Sequence, residues 1–422
     1  MGKFYLDALG CKVNSYEASL LRGPLEALGH VETDDPKEAD FIFLNACAVT
    51  ARSVQKGRQR IRKLRRLAPQ ARLLVSGCFV AAAPGLAKEL GADEEIATYG
   101  RNEALARLLG LPLEKKAPYR KEAYEEPLNA SEQKDLRAYL KVQDGCSRFC
   151  SYCLIPYLRG PSRSRDPEHA LHEAEILSQT HPEIVVTGIE VAFYGKDLGD
   201  GSYRLSSLLS DILKRCPGLK RLRLSSLEEG AIDERMLALF AHEERLASHV
   251  HLALQAGSNH VLSLMGRPYD RDQFLAVARR LQGARPGIAL TTDVIVGFPG
   301  ETEEDFEDTM DLCRSVGFAE IHVFPYSSRP GTKATRMKEE EVPFPAKKER
   351  EERLLALSKE LRRAFEERNY GVEKEILLEE YEPKSGCWLG HSSDYLLIKA
   401  KGENLKRGEV VKVVYSPENR AD

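Results

Sequence analysis

No apolar run in the 422-residue chain approaches the roughly 20 residues needed to span a bilayer, which excludes a helical membrane protein. The opening Met1-Gly2-Lys3-Phe4-Tyr5-Leu6 lacks a charged-then-apolar signal pattern and reads as a first strand, so a cytoplasmic protein without membrane attachment is expected. Neither internal repeats nor low-complexity tracts occur, so the chain reads as a succession of distinct domains. An excess of one charge is missing too. The formal net charge is -3, so whole-chain electrostatics do not announce a nucleic-acid binder, and such binding would have to come from local basic patches. Tryptophan is nearly absent, with Trp388 alone. Cysteine, by contrast, is present nine times. In a reducing compartment thiols stay free, and clustered ones point to metal before disulfides.

Hydrophobic residues make up 42% and charged residues 30%, a soluble globular balance, and the length favours two or three domains. From Phe4 to about Leu111 strand-like runs (Phe4–Leu9, Asp40–Asn45, Leu73–Ser76) alternate with helical stretches, a rhythm that predicts a small parallel sheet covered on both faces. Residues 112–135 are charged, carry prolines and lack periodicity, so they read as a linker. A longer β/α series fills 136–345, with strand candidates Ala138–Val142, Glu183–Thr187, Lys220–Ser225, Val250–Leu254, Ile288–Val296 and Glu320–Phe324. Six units predict an open, incomplete barrel, whose chemistry sits at the C-terminal ends of its strands. Residues 346–370 form a charged connecting helix with Leu354, Leu357, Leu361 and Phe365 in one apolar stripe. Residues 371–422 alternate short strands (Ile376–Glu379, Tyr395–Ala400, Glu409–Tyr415), predicting a small β-barrel of a size common among nucleic-acid-binding modules.

Cys146, Cys150 and Cys153 follow the first strand of the central series at C-x3-C-x2-C spacing. Three thiolates can hold three irons of a 4Fe-4S cluster and leave the fourth open to a small molecule. Structural zinc would call for four protein ligands, and no fourth Cys or His lies close by. A second set, Cys11, Cys47 and Cys78, occupies equivalent positions just beyond three strands of the N-terminal sheet, where parallel sheets bind ligands. Single buried cysteines are commonly packing residues. Three after successive strands predict a second cluster with one open iron. Cys216, Cys313 and Cys387 share no such pattern and are taken as structural.

Polar residues recur where the central strands run out. Tyr152 precedes Cys153, Thr187-Gly188 ends the second strand, and Glu228 lies past the third. Gln255 follows the fourth, Arg267 comes one helix later with a guanidinium suited to a carboxylate, and Asp293 on the fifth could accept from ribose hydroxyls. The glycine at 188 would permit close approach of a ligand's amino group. Such residues can be structural in a barrel, but together they predict one shared cavity.

The C-x3-C-x2-C stretch with its preceding aromatic resembles the signature of radical S-adenosylmethionine (SAM) enzymes. Leu9-Gly10-Cys11-Lys12-Val13-Asn14, Gly145 through Arg165, His251 through Gly257, Thr292 through Glu301 and His322 through Gly331 together resemble the radical-SAM methylthiotransferases over essentially the whole chain. Gly-Cys-Lys-Val-Asn and Arg223-Leu224-Ser225-Ser226-Leu227-Glu228 are similar to the branch acting on N6-threonylcarbamoyladenosine in tRNA, whereas the isopentenyladenosine branch usually has Gln-Met-Asn after the first cysteine. Ala46, Ala253 and Phe79-Val80 depart from the usual family residues without removing a thiol.

The resemblance implies an N-terminal cluster domain, a radical-SAM partial barrel and a C-terminal TRAM barrel. It implies two 4Fe-4S clusters, SAM, a tRNA substrate, an external one-electron reductant, a sulfur source and a monomer. The implied reaction opens with a 5′-deoxyadenosyl radical that takes hydrogen from C2 of the adenosine. Sulfur carried or supplied by the N-terminal cluster, and methylated by a second SAM, then takes its place. An aromatic C–H has no acidic proton or leaving group, so a radical route suits it.

For RNA contact the sequence offers the helix between Cys47 and Cys78, where Arg58, Arg62 and Arg65 lie in a run of eight basic residues opposite Val54, Ile61 and Leu64. The C-terminal module adds Lys384, Trp388, His391, Tyr395 and Lys399, suited to phosphate contact and base stacking. Two other readings stand beside a tRNA enzyme: methylthiolation of an aspartate on ribosomal protein S12, and an iron-sulfur RNA-binding sensor. The sensor would not need Arg267, Asp293 and the other cavity groups.

Overall fold

The computed structural model of the chain describes residues 2–110, 123–127 and 132–421. Most of the expected linker therefore lies outside the described residues. Within it, Glu126 is held by Arg165 at 2.9 Å, on the barrel.

The N-terminal region is a five-stranded, wholly parallel sheet. Its three central strands are Lys3–Leu9, Phe41–Ala46 and Arg72–Ser76. Short edge strands Val31–Glu32 and Glu94–Ile96 flank them, too brief to show as apolar runs in the sequence. Helices cover both faces, because strands buried on both sides must be shielded twice. The helix Ala51–Leu67 is capped by Thr50, whose side chain accepts from the Ser53 amide at 3.0 Å. It buries Gly57, Ile61 and Leu64 and exposes Arg52, Lys56, Arg58, Arg62, Lys63 and Arg66.

Six parallel strands follow: Arg137–Lys141, Glu183–Thr187, Arg221–Leu224, His249–His251, Ala289–Val296 and Glu320–Pro325. They form two three-stranded sheets joined by the isolated bridges Leu222–Leu246 and Leu227–Leu252. The result is the open six-unit partial barrel expected. Alternation along the strands sends Ile184, Val186, Leu222 and Val250 into the apolar layer beneath the helices. Their neighbours Glu183, Arg221, Arg223 and His249 face the lumen, buried and polar.

Beyond the helix Phe344–Arg368, which buries Leu354, Leu357 and Phe365, the C-terminal region is a four-stranded antiparallel sheet. One of its strands, Cys387–Ser392, escaped the sequence pattern because Gly390 and His391 interrupt the alternation. A Cβ at Gly390 would stand 2.4 Å from the Leu377 carbonyl, so only glycine lets the two strands pair there.

This sheet closes the bottom of the barrel. Arg223, fully buried, donates to Glu183 at 2.7 Å and to the Ser393 and Ser392 carbonyls at 3.0 and 3.1 Å. Its guanidinium lies 3.8 Å from the centre of the Tyr395 ring. Arg221 adds bonds to the His391 and Glu375 carbonyls at 3.2 and 2.9 Å. Tyr395 and His391 therefore serve the domain junction, which corrects their assignment to base stacking. Replacing Arg223 with Ala should cost about 3–5 kcal/mol of stability, because Glu183 loses a fully buried partner and two carbonyls lose their donors. Urea unfolding would measure this, and a loss under about 1 kcal/mol would mean that the plug contributes little.

Candidate active site

The three N-terminal cysteines meet in the loops leaving the central strands. Gly10 holds φ +116° and Gly77 φ +93°, conformations that side-chain-bearing residues rarely adopt. A Cβ on Gly10 would stand 2.3 Å from the Cys47 Cβ, and one on Gly77 would stand 2.4 Å from the Asn45 Oδ1. The glycines thus let the first and third loops close onto the second. Burial raises all three thiols above the ordinary range, and each is raised further by a neighbour: Cys11 by Cys47, Cys47 by Cys78, and Cys78 by Cys11. That mutual influence closes the ring of three.

The central triad lies on the loop after Gln143. Cys146 and Cys153 accept from the Arg148 and Ile155 amides at 3.4 Å each, and Cys150 accepts from Arg267 Nη1 at 3.3 Å. Cys47 accepts likewise from the Val49 amide at 3.4 Å. All nine cysteines are free thiols. N–H groups aimed at sulfur are the support that iron-sulfur thiolates require. Burial first, with Cys150 and Cys78 adding to it, pushes the Cys153 thiol up to about 11, so bound iron, which deprotonates its ligands, is what would make these residues thiolates. Both triads fit the cluster expected of them.

The triads face each other across the junction of the two domains. The helix Ile155–Arg159, directly after Cys153, packs Leu158 against Ala48 and Cys78. From its last turn Arg159 donates to the Cys78 sulfur at 3.2 Å and to Glu17 at 2.9 Å. Glu17 also binds Arg101 at 2.6 Å and Lys141 at 2.8 Å. Asp144 binds Lys141 at 2.7 Å and Arg159 at 3.1 Å. Burial works against the Glu17 charge, yet Arg101, Arg159 and Lys141 hold this carboxyl well below the usual carboxylate range. Arg329, from the segment after the last barrel strand, donates to the Ala48 carbonyl beside Cys47. Glu17 carried no sequence signal, and Arg159 and Arg329 fell within the resembling stretches without being singled out, because their meaning comes from contacts between distant segments.

Three of the expected cofactor residues, Arg267, Glu228 and Tyr152, gather beside the central triad. Arg267 Nη2 and Arg148 Nε grip Glu228 at 2.7 and 2.6 Å. Tyr152 packs edge-on to Phe298 at 6.3 Å, and Cys150, Arg267 and Cys153 all act on its hydroxyl. Gln255 sits at φ +70°, in the left-handed region, where backbone strain commonly marks a working site. Glu190 was missed. Burial first, then the Glu228 carboxylate facing it, raise its carboxyl well above the ordinary range. It follows Thr187-Gly188 by two residues, so the end of the strand did signal it.

At Gly188 a Cβ would stand 2.8 Å from Val191 and 3.0 Å from Gln143, so close packing of the turn already calls for glycine there. Gln143 Oε1 accepts from the Ile189 and Glu190 amides at 3.0 and 2.8 Å, orienting the turn after the buried Thr187. Among the described residues Asp293 forms no ion pair or side-chain hydrogen bond with the Arg267 group. Its carboxylate lies 3.4 Å from His251 Nε2, in a cavity of about 1000 Å³ that fills the lumen and reaches Lys12 above and Tyr395 below.

Of the residues expected to touch RNA, Arg58 and Arg62 are exposed on their helix. Arg65 is not available: it binds the Gly91, Pro69 and Ala71 carbonyls at 2.7, 2.9 and 2.9 Å and Asp93 at 2.5 Å. Arg60 is likewise held by Asp7 at 2.5 Å. On the C-terminal sheet Lys384 is exposed in a turn, while Lys399 and Trp388 are half-buried, Trp388 with its ring 5.5 Å from that of Tyr381.

Residues 140–313 match the Radical SAM superfamily, and residues 3–97 match the family described as Uncharacterized protein family UPF0004. Over 98% of its length the chain is 36% identical to the threonylcarbamoyladenosine tRNA methylthiotransferase MtaB of Bacillus subtilis, covering 93% of that protein. It is also 34% identical over 97% of its length to the tRNA-2-methylthio-N(6)-dimethylallyladenosine synthase of Anoxybacillus flavithermus, covering 80% of that protein. Among solved structures, the radical S-adenosylmethionine methyltransferase TsrM of Kitasatospora setae aligns with a TM-score of 0.59 at 18% identity, over 79% of this chain and 77% of that one, a likeness of fold alone. Two thiol triads, a six-stranded open barrel that holds one of them, and near-full-length identity to both kinds of enzyme lead to one conclusion: the chain belongs to the radical-SAM methylthiotransferase family.

Proposed function

We propose that this protein converts N6-threonylcarbamoyladenosine in tRNA to its 2-methylthio derivative. The observation that carries the reading is the meeting of two thiol triads across Arg159, beneath a sequence 36% identical throughout to a protein named for that substrate. Cys146, Cys150 and Cys153 hold one 4Fe-4S cluster, and Cys11, Cys47 and Cys78 hold the other. When bound, the clusters and SAM supply an electron, a 5′-deoxyadenosyl radical and sulfur; an external one-electron donor and a sulfur source complete the reaction.

The chain's own residues do the rest. Glu190 and Glu228 present carboxyl groups to the ammonium of the methionine moiety, and Arg267, already partnered by Glu228, turns toward its carboxylate. Tyr152 and Phe298 give the adenine an aromatic wall. Leu158 and Arg159 keep the two triads at a fixed separation, and apolar contacts around Ala48 exclude water from the gap. Arg58 and Arg62 offer the exposed basic face for tRNA phosphates, with Lys384 and Lys399 on the C-terminal sheet as further candidates and Trp388 as a stacking surface. The absence of any helix long and apolar enough to cross a membrane, among the described residues, agrees with a tRNA substrate.

Nucleosides from cells lacking the gene should lose 2-methylthio-N6-threonylcarbamoyladenosine and accumulate the form without sulfur, as read by mass spectrometry. Loss of the dimethylallyl counterpart instead would move the protein to the other branch of the family. Unchanged nucleosides would leave the ribosomal-protein reading.

The triads should separate by function. Replacing Cys146, Cys150 and Cys153 with Ala should leave about half the iron and abolish reductive cleavage of SAM. Replacing Cys11, Cys47 and Cys78 should also halve the iron yet spare that cleavage while stopping sulfur insertion. An unmodified protein that reconstitutes with only one cluster's worth of iron would contradict the assignment.

Reversing Arg58 and Arg62 to Glu should weaken tRNA binding and lower the log–log salt slope by about one for each phosphate that is no longer neutralised. A titration across a salt series makes the measurement, and an unchanged slope would take this helix out of the interface.

A further inference from the structure

Lys12 stands beside Cys11, at the start of the helix Lys12–Ser19, and its side chain reaches the lumen cavity together with Ser225, His251, Asp293 and Tyr395. It is half-buried, and what surrounds it is cationic. Lys359, Arg362, Arg363 and Arg420 line the same cavity, against the acids Asp293, Glu320 and Glu366. Among the described residues no carboxylate forms an ion pair with it, and each acid of the cavity stands beside another side chain. Asp293 faces His251 at 3.4 Å, Glu320 faces His322 at 3.7 Å, and Glu366 binds Arg362 at 2.8 Å. The buried Glu183 is shared by Arg223 at 2.7 Å and Arg221 at 3.0 Å. A partly desolvated ammonium held among other cations is unfavourable by itself and becomes favourable when an anion arrives.

We propose that the Lys12 ammonium receives the carboxylate of the threonylcarbamoyl arm and so selects this substrate. The inference deepens the reading above and rests on it. The position agrees with the chemistry. C2, where sulfur enters, and C6, which bears the arm, flank N1 on the same ring. The arm's threonine N–H can bond back to N1, which folds the carboxylate toward the C2 edge. Sulfur is delivered from the triad that contains Cys11, so the neighbouring residue lies at the edge where that carboxylate arrives. A dimethylallyl arm carries no charge and would cover the ammonium without pairing it. A site built for a polar group rejects the analogue that lacks it more strongly than an apolar pocket rejects an added group.

The test uses anticodon stem-loops that differ at one nucleoside: threonylcarbamoyladenosine, the same nucleoside with its carboxylate replaced by carboxamide, and dimethylallyladenosine. Affinities are measured by fluorescence anisotropy for the cluster-loaded parent, Lys12→Gln and Lys12→Arg, with iron content and thermal midpoint recorded for each. The parent should prefer the carboxylate over the carboxamide loop by roughly 10- to 100-fold. Lys12→Gln should bind the two within about threefold, through weaker binding of the carboxylate loop alone, and Lys12→Arg should keep most of the preference. A parent without the preference, or a folded Lys12→Gln protein that retains it, would overturn the assignment of Lys12. The comparison within the parent decides even if a variant fails to fold. A parent that binds the dimethylallyl loop best would overturn the substrate reading itself, a failure distinct from that of Lys12.

Discussion

Glu17 holds the active site together. It lies on the first helix of the N-terminal domain, nearly inaccessible to solvent, and its three cationic partners come from three places: Arg101 at the end of its own domain, Lys141 on the first barrel strand and Arg159 just past the central cysteines. A buried carboxylate without partners would be strongly destabilising, so the two domains can approach only in the orientation that supplies all three. That orientation also sets Cys78 against Arg159. Together with the packing of Leu158 against Ala48 and Cys78, this glutamate sets how the two thiol triads face each other.

The same network biases the chemistry of the sulfur atoms. Glu17 and Asp144 face Arg101, Lys141, Arg159 and Arg163, so cations outnumber anions at a place where protein dipoles and charges are poorly screened. The surplus lies beside Cys78. Thiolates bound to iron are anionic, and a positive surrounding lowers the cost of holding them away from water. The arrangement is partly self-compensating, since the guanidinium that anchors Glu17 also donates to sulfur.

At the other end of the barrel the requirement is closure. An open partial barrel leaves polar lumen residues without partners, and here the C-terminal sheet supplies backbone carbonyls and the Tyr395 ring to Arg221 and Arg223. Tyr395 occupies the left-handed region at φ +63°, a strained conformation for a bulky residue that the surrounding bonds hold in place. The cavity left in the lumen is lined by His249, His251, His322 and His391 and reached by Lys12.

The sequence by itself determined the six barrel strands, the three main strands of the N-terminal sheet, both thiol triads and the gathering of Tyr152, Glu228 and Arg267. These are local facts: hydrophobic period, cysteine spacing and position at a strand's end survive without knowledge of the rest of the chain. The tertiary structure decided which charges are free. Arg65 and Arg62 stand three residues apart on one helix and read alike, yet Arg65 is consumed by three carbonyls and Asp93 while Arg62 faces solvent. Asp293 and Tyr395 likewise carry residue types suited to ligand contact, and the first turned toward a histidine pair while the second became a plug. Glu17, Arg159 and Lys12 acquire their roles only when segments more than a hundred residues apart are brought together. The partners of a charge are set by packing over long separations, and no periodicity in the sequence records them.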